Sequence, residues 1–260
     1  MVILENIIKP SIGILNSLGT AHNEGFENEE QKLTEKLYLF KNCKTTIING
    51  LSINANLNVI EKHLINPFII SYEQNAHLQI LDIKSEVSIT VIKAKYNNSE
   101  LSITIPFTDI ASIHNAITCW ATLLYLKISN TEIEVGMTRL QSVEMRLELK
   151  LATNNCVLIN DYYNSDINSL EIALHYQKQQ HRGGKKIIIL SDIEQSGKTT
   201  KQLYLDVAAL LKRFEIDKLI GIGKEINSQK DVFTLDSYFF TNKNDFLDAL
   251  KTDLQLQFQN

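Results

Sequence analysis

The chain has 260 residues, of which 44% are hydrophobic and 22% charged, and its formal net charge is -4. This length predicts two domains, and the weakly acidic balance argues against a nucleic-acid partner, whose phosphates need basic surfaces. Three widely spaced cysteines without a CxxC pair indicate neither a disulfide framework nor a structural zinc site. A cytoplasmic protein without membrane insertion is expected, because no apolar run approaches the roughly 20 residues that span a bilayer.

The first part of the chain predicts helices that alternate with parallel strands and enclose a small antiparallel meander. Between 78 and 105 the apolar period changes to two, and the three strands there are separated by Lys84-Ser85 and by a tight turn at Asn97-Asn98. The elements around this meander are predicted as helix 3–8, strand 12–15, a helix from 28 or 29 to 40, strand 45–48, helix 57–63, strand 68–71, helix 110–128 and a further helix that begins with 132–137.

A second alternating series starts near Glu148 and predicts another parallel sheet with Rossmann-like winding. Its elements are strand 157–161, helix 168–177, strand 185–192, helix 200–214, strands 218–223 and 236–240, and helix 243–250. The change of pattern sets the domain boundary at residue 147. We therefore expect an α/β protein in which residues 1–147 form part of a doubly wound parallel sheet domain and residues 148–260 form a Rossmann-like domain.

A short glycine motif, Ser196-Gly197-Lys198-Thr199, is similar to the end of a phosphate-binding loop. Such a loop requires a further glycine five residues before Gly197, where this chain has Asp192. An aspartate at that point would direct negative charge at a phosphate group. The sequence therefore favours an ordinary turn that begins a helix.

Three polar residues of the first part are candidates for binding chemistry. His22 follows a predicted strand, at the edge where open α/β sheets bind ligands, although a lone loop histidine is more often unspecialised. Lys36 lies within an amphipathic helix, where its amine is either solvated or, if buried, reactive towards carbon dioxide. Asn115 lies near the start of an apolar helix, where its amide either contacts an adenine edge or belongs to an ordinary polar turn.

The segment from 158 to 169 is the richest in candidate ligands. Asp161 ends a predicted strand and is followed by Tyr163 and Asn164, an arrangement typical of sites for a ribose or a metal-bound phosphate. The alternative is that Asp166 or Asn168 caps the next helix. Capping and binding can both occur in this segment.

Several segments, taken in order, resemble the Mur ligase family, and together they cover nearly the whole chain. They are ILENIIKPSIGILNSLGTAH, LTEKLYLF, HNAITCWA, EMRLELK, LINDYYNSDINSLEIAL and KKIIILSDIEQSG. The resemblance implies an ATP-dependent ligase that forms amide bonds in peptidoglycan precursors. The Tyr-Asn form of the fifth segment is most similar to family members that join D-alanyl-D-alanine to UDP-N-acetylmuramoyl-tripeptide.

The resemblance also implies roles for individual residues. His22 would bind magnesium, and Lys36 would carry a carbamate that helps to hold this ion. Asn115 would contact the adenine of ATP, and Arg146 would contact the terminal phosphate. Lys36 and Arg146 are thus the expected catalytic residues. Asp161 would bind the ribose, with Tyr163 and Asn164 shaping the same cleft.

The chain departs from the family pattern in three places. Met145 stands where the family has a glycine, and Thr118 stands where the adenine-contacting helix has a second asparagine. A complete phosphate-binding loop of the GxxxxGK[ST] type is missing, so we expect a piece of a longer ligase that is inactive by itself. The segments also resemble the ligase half of fusions with alanine racemase, in which pyridoxal phosphate would serve only the racemase. The alternatives are a ligase similar to folylpolyglutamate synthase and a non-catalytic nucleotide-binding or regulatory module.

Overall fold

The computed structural model describes residues 1–19, 25–53, 57–141, 146–152, 156–163, 165–181, 183–193 and 196–252. They form two compact units, the first of Met1–Gly19 and Phe26–Gln141 and the second mainly of the described residues after Gln141. The predicted α/β class is confirmed. The predicted domain boundary at residue 147 stays a prediction.

The first unit contains helices and strands close to the predicted ones. They are α1 (Val2–Ile8), β1 (Ile12–Leu15), α2 (Glu29–Leu37), β2 (Thr45–Asn49), α3 (Leu57–His63), β3 (Pro67–Ser71), β4 (Leu78–Ser85), β5 (Thr90–Tyr96), β6 (Ser99–Ile105), α4 (Ile110–Tyr125) and α5 (Asn130–Thr138). A short 3-10 turn continues α2 to Phe40.

The six strands of the first unit form one sheet in the order β1-β2-β3-β4-β5-β6. The pairs from β1 to β4 are parallel, whereas β4, β5 and β6 pair antiparallel and form the predicted meander. At its second turn, Asn97 and Asn98 have φ angles of 48° and 64°, the left-handed conformation that two-residue hairpin turns need. The first turn differs from the prediction, because Ser85 is still paired with Thr90 and the reversal follows it.

Helix α4 covers this sheet with an apolar face. Ile113, Ile117, Trp120 and Leu124 recur at helical spacing and are almost completely buried. Asp109 caps the helix by accepting a hydrogen bond from the Ser112 backbone N–H at 2.8 Å. Each fully buried side chain of this size contributes about 1.5–3 kcal/mol, so this face fixes α4 against the sheet. The position of every polar residue on α4 follows from that contact.

Helix α4 ends at Tyr125, earlier than the predicted residue 128. Lys127 has a φ angle of 61°, in the left-handed region that commonly ends a helix. Helix α5 then starts at a capping box between Ser129 and Glu132. The turn between the helices therefore replaces the last predicted residues of the first one.

The second unit alternates strands and helices, mostly as predicted. Its elements are β7 (Glu148–Leu151), β8 (Val157–Asn160), α6 (Ile167–Gln180), β9 (Ile187–Ser191), α7 (Thr200–Arg213), β10 (Lys218–Ile222), α8 (Lys224–Ser228), β11 (Asp236–Phe240) and α9 (Lys243–Thr252). Strands β9, β10 and β11 form the parallel sheet in the order β11-β10-β9.

Strand β8 differs from its predicted place in that parallel sheet. It pairs antiparallel with β7, for which the sequence predicted no strand, and the described parts of these two strands form a separate two-stranded sheet. Parallel strands are buried on both faces, whereas Leu151 is 81% exposed and Val157 and Leu158 are also exposed. The apolar run that starts at Val157 predicts a buried parallel strand, but Val157 and Leu158 are exposed on a two-stranded sheet.

The glycine motif before α7 is an ordinary helix start, as the sequence favoured. The Thr199 side chain caps the helix by accepting from the Gln202 N–H at 3.3 Å, and Lys198 forms an ion pair with Asp206 at 2.6 Å. The Asp192 carboxylate accepts hydrogen bonds from backbone N–H groups at the start of α8. Among the described helices, none combines the length and apolar character that crossing a membrane requires.

Candidate functional site

A buried polar network joins the carboxyl ends of β1 and β2 to helix α4. Asn49, the last residue of β2, is completely buried, and its Nδ2 donates to Thr118 Oγ1 at 2.9 Å and to the His114 carbonyl at 3.1 Å. Its Oδ1 accepts from the Leu51 backbone N–H at 3.1 Å. Asn16 follows β1, and its Oδ1 accepts from Thr118 Oγ1 at 2.6 Å. The network ties two strand ends to one helix.

Asn115, the predicted adenine contact, lies at the solvent side of this network. Its side chain is exposed, and its Oδ1 accepts a hydrogen bond from Asn16 Nδ2 at 2.5 Å. Thr118, one turn further along α4, is buried and bonded to Asn16 and Asn49. The departure from the family pattern at Thr118 therefore falls on an internal hydrogen-bonding position.

The imidazole of His114 is partly buried beside this network. Burial lowers the pKa of His114 below its ordinary value of 6.5, since the charged form loses hydration. The ring is therefore neutral at physiological pH. The ring therefore adds no positive charge next to Asn115. The polar groups around Asn115 include amides and backbone carbonyls.

Two lysines of helix α2, Lys32 and Lys36, lie one turn apart on the same face of the helix. Lys36, the predicted carbamate carrier, is half-buried. Lys32 is only 2% exposed, and its Nζ donates to the Gly19 carbonyl at 2.9 Å and lies 6.0 Å from the centre of the Phe26 ring. No local pattern in the sequence singles out Lys32, which donates to Gly19 in the segment that follows β1.

Two predicted site residues, His22 and Asn164, lie outside the described residues. The described residues contain no group of three or more His, Cys, Asp or Glu side chains placed to hold a metal ion. Magnesium keeps several of its waters and prefers oxygen ligands, so a carbamate on Lys36 with few other side chains is a suitable donor set. The magnesium role of Lys36 stays a prediction.

In the second unit the structure brings Arg146, Asp161 and Tyr163 together around the ends of β7 and β8. The Arg146 guanidinium lies 4.4 Å from the centre of the Tyr163 ring, a cation–π distance, and both side chains are exposed. Asp161 is half-buried, and its Oδ1 accepts from the Leu147 backbone N–H at 3.4 Å. This group offers a cation, an aromatic face and a carboxylate to a ligand.

The capping alternative for this segment is also realised. Asp166 accepts from the backbone N–H groups of Asn168 and Ser169, both at 3.0 Å, and Ser169 completes a capping box. Because Asp166 caps α6, Asp161 is not needed for that purpose. The structure thus separates the capping carboxylate from the candidate binding carboxylate.

Residues 3–123 match the Mur ligase middle domain. The described chain also superposes on MurF from Acinetobacter baumannii with a TM-score of 0.79 at 18% identity, covering 98% of this chain and 56% of that one. A MurF ligase from Thermotoga maritima in complex with ADP gives a TM-score of 0.72 at 12% identity, covering 95% of this chain and 58% of that one. The fold is therefore that of the Mur ligases.

Among the curated relatives, several are named UDP-N-acetylmuramoyl-tripeptide–D-alanyl-D-alanine ligase. The protein from Buchnera aphidicola subsp. Acyrthosiphon pisum is 24% identical over 244 residues, which are 92% of this chain and 53% of the relative. The one from Rickettsia prowazekii is 29% identical over 199 residues, which are 72% of this chain and 42% of the relative. The chain thus spans about half the length of the relatives it matches.

Proposed function

We propose that this chain is part of an ATP-dependent ligase that joins D-alanyl-D-alanine to UDP-N-acetylmuramoyl-tripeptide in peptidoglycan precursor synthesis. The observation that carries the proposal is the middle-domain match over residues 3–123, which includes Lys36 and Asn115. Relatives with this one enzyme name extend the similarity into the second unit. That shared name favours this function over a ligase similar to folylpolyglutamate synthase.

The reaction has two steps in this proposal. A carboxylate oxygen of the tripeptide attacks the γ-phosphorus of ATP, the bond to the β-phosphate oxygen breaks, and an acyl phosphate and ADP form. The amine of D-alanyl-D-alanine then attacks the acyl carbon, loses a proton and expels inorganic phosphate. Positioning and charge stabilisation carry most of such catalysis, so the exposed guanidinium of Arg146 would offset charge on the transferring phosphoryl group.

Nucleotide contacts are proposed for each unit by itself. In the first, the exposed Asn115 amide would contact adenine. In the second, Asp161 would accept hydrogen bonds from the ribose, and Tyr163 and Asn164 would shape the same site. Asp161 suits this role because its carboxylate follows a strand end and remains half-exposed.

Magnesium would be held by His22 and by a carbamate on Lys36. The carbamate forms when the neutral lysine amine attacks carbon dioxide and loses a proton, which converts a cation into an oxygen ligand. Lys36 is half-buried on helix α2. When bound, the ion supplies positive charge beside the phosphate oxygens.

The wider organisation belongs to the same proposal. Residues 1–147 would be the later part of the middle domain, residues 148–260 would be most of the C-terminal domain, and the enzyme would act in the cytoplasm. A fused alanine racemase with its pyridoxal phosphate would lie beyond these residues, and sequencing the flanking codons tests this directly. The enzyme would support cell-wall growth and thereby cell shape and division.

The proposal is tested with the complete protein encoded by the gene. It is expected to convert ATP, tripeptide precursor and D-alanyl-D-alanine into pentapeptide precursor, ADP and phosphate. Asn115→Ala should raise the KM for ATP about 3- to 10-fold, the value of one lost hydrogen bond, and leave the KM for the tripeptide unchanged. Asn168→Ala, which removes an exposed side chain in the first turn of α6, is the matched control. Turnover with a folate and glutamate instead would support the rival ligase and reject this proposal.

A further inference from the structure

The polar network at the ends of β1 and β2 determines which way the Asn115 amide faces. We infer that Asn16 is a positioning residue that holds the Asn115 oxygen and thereby turns its amino group towards the nucleotide. The inference rests on the proposed function, in which Asn115 contacts adenine. The orientation of each amide is determined by its hydrogen-bond partners, starting from a backbone N–H that can only donate.

The first fixed point is the backbone N–H of Leu51, which can only donate. It points at Asn49 Oδ1, so that side of the Asn49 amide must be the oxygen. The Nδ2 group of Asn49 consequently faces helix α4. There it lies 2.9 Å from Thr118 Oγ1, 3.1 Å from the His114 carbonyl and 3.2 Å from the nearest side-chain atom of Asn16.

The second step orients Asn16. Thr118 Oγ1 accepts from Asn49, so its single proton is available to donate. Two acceptors lie within reach, Asn16 at 2.6 Å and the His114 carbonyl at 2.9 Å, and the contact to Asn16 is the shorter one. The same atom of Asn16 also faces Asn49 Nδ2. The Asn49 amino group can only donate, so the Asn16 atom that faces it is Oδ1, since an amino group there would meet an N–H without an acceptor.

The third step orients Asn115. Because the Asn16 oxygen is directed inward, its Nδ2 faces Asn115 at 2.5 Å. The Asn115 atom that accepts this hydrogen bond is therefore Oδ1. The amino group of Asn115 is therefore the part of the amide that points away from the network. Because Asn115 is exposed, this donor is available to an unprotonated ring nitrogen of a purine. Asn16 thus sets the hydrogen-bonding character of the candidate adenine contact without touching the base.

Asn16→Asp tests the inference, because an aspartate still accepts from Thr118 and Asn49 but cannot donate to Asn115. The Asn115 amide should then turn over, bonding its amino group to Asp at position 16 and presenting its oxygen outward. In the complete protein, the Kd for ATP should rise about tenfold or more, since an acceptor now meets an acceptor. The KM for D-alanyl-D-alanine should not change, which separates positioning from general loss of structure.

A second measurement uses the 260-residue polypeptide without any ligand. Hydrogen exchange of the Asn115 side-chain amino protons, followed by NMR, should be fast in the unaltered protein and slower in Asn16→Asp. Thr118→Val removes the hydroxyl while keeping the side-chain shape, and it should raise the Kd for ATP about threefold, whereas Thr118→Ser should restore it. Thermal unfolding of each variant shows whether it folds.

The outcomes separate the inference from the proposed function. Protected amino protons on Asn115 in the unaltered protein would overturn the inference. So would an unchanged ATP affinity in a folded Asn16→Asp variant while Asn115→Ala binds weakly, and that result would leave the proposed function standing. If the complete protein does not bind ATP at all, both are rejected.

Discussion

Gly223 shows how a single residue can determine a local structure. It follows β10 with a φ angle of 148°, and a Cβ atom placed on it would lie 2.2 Å from Asp192 Cγ. That carboxylate accepts hydrogen bonds from the Glu225 N–H at 3.2 Å, the Ile226 N–H at 2.9 Å and the Tyr204 hydroxyl at 3.3 Å. Any side chain at Gly223 therefore displaces the group that caps α8.

Gly223→Ala should lower the free energy of unfolding by about 2–4 kcal/mol, through backbone strain and through loss of the Asp192 hydrogen bonds. Urea unfolding followed by circular dichroism measures the change. Gly136→Ala is the matched control, since Gly136 lies inside α5 with nothing within 4 Å of its added Cβ. That exchange should stabilise the helix by up to about 1 kcal/mol. Equal effects of the two exchanges would show that the Asp192 contact has no energetic weight.

Among the elements, β4 is the strand at which the first sheet changes from parallel pairing, with β3, to antiparallel pairing, with β5. Strands β3 and β4 are joined by only two residue pairs, Ile70 with Leu78 and Ser71 with Gln79. His77 adds a further link, because its Nδ1 accepts from the Ile69 N–H at 3.1 Å and its ring stacks on Phe68 at 5.1 Å. This bond requires Nδ1 to be unprotonated.

Burial lowers the pKa of His77 below its ordinary value of 6.5, so the unfolded chain takes up this proton at a higher pH than the folded chain does. Stability from this residue is therefore complete above the ordinary pKa and is lost as the pH falls towards the folded pKa. His77→Gln keeps an acceptor but cannot take up the proton. When the pH is lowered from about 7.5 to about 5.5, the free energy of unfolding of the His77→Gln variant should fall less than that of the unaltered protein. Parallel pH profiles for the two proteins would contradict this assignment.

At the scale of the whole molecule, the proposed activity needs a group that this sequence does not contain. The 260 residues include no GxxxxGK[ST] motif, whose backbone N–H groups would cradle the β- and γ-phosphates. The 260-residue polypeptide should therefore release no phosphate from ATP in the presence of both peptide substrates, whereas the complete protein should. A malachite-green phosphate assay compares the two at equal concentration. Turnover by the short polypeptide would show that the phosphates are held in another way.

The local parts of this structure follow from the sequence alone. Alternating apolar residues predicted the meander, and Asn97-Asn98 predicted its turn, because the period of a strand and the φ preference of asparagine are properties of neighbouring residues. Asp166 or Asn168 is a predicted helix cap for the same reason, and Asp166 is the one that caps α6. The segments that resemble the Mur ligase family are also recognised from their order along the sequence. The fold class and the candidate residues Lys36, Asn115 and Asp161 therefore required no coordinates.

Only the tertiary structure decided which polar groups meet. Helical spacing places Lys32 and Lys36 alike beside Leu33 and Leu37, and only packing shows that Lys32 is the buried one. Asn16 and Thr118 are 102 positions apart, so no local pattern predicts their hydrogen bond. The same holds for the pairing of β8 with β7. Contacts of this kind arise when distant segments exclude water together, and their energy depends on geometry that no single segment contains.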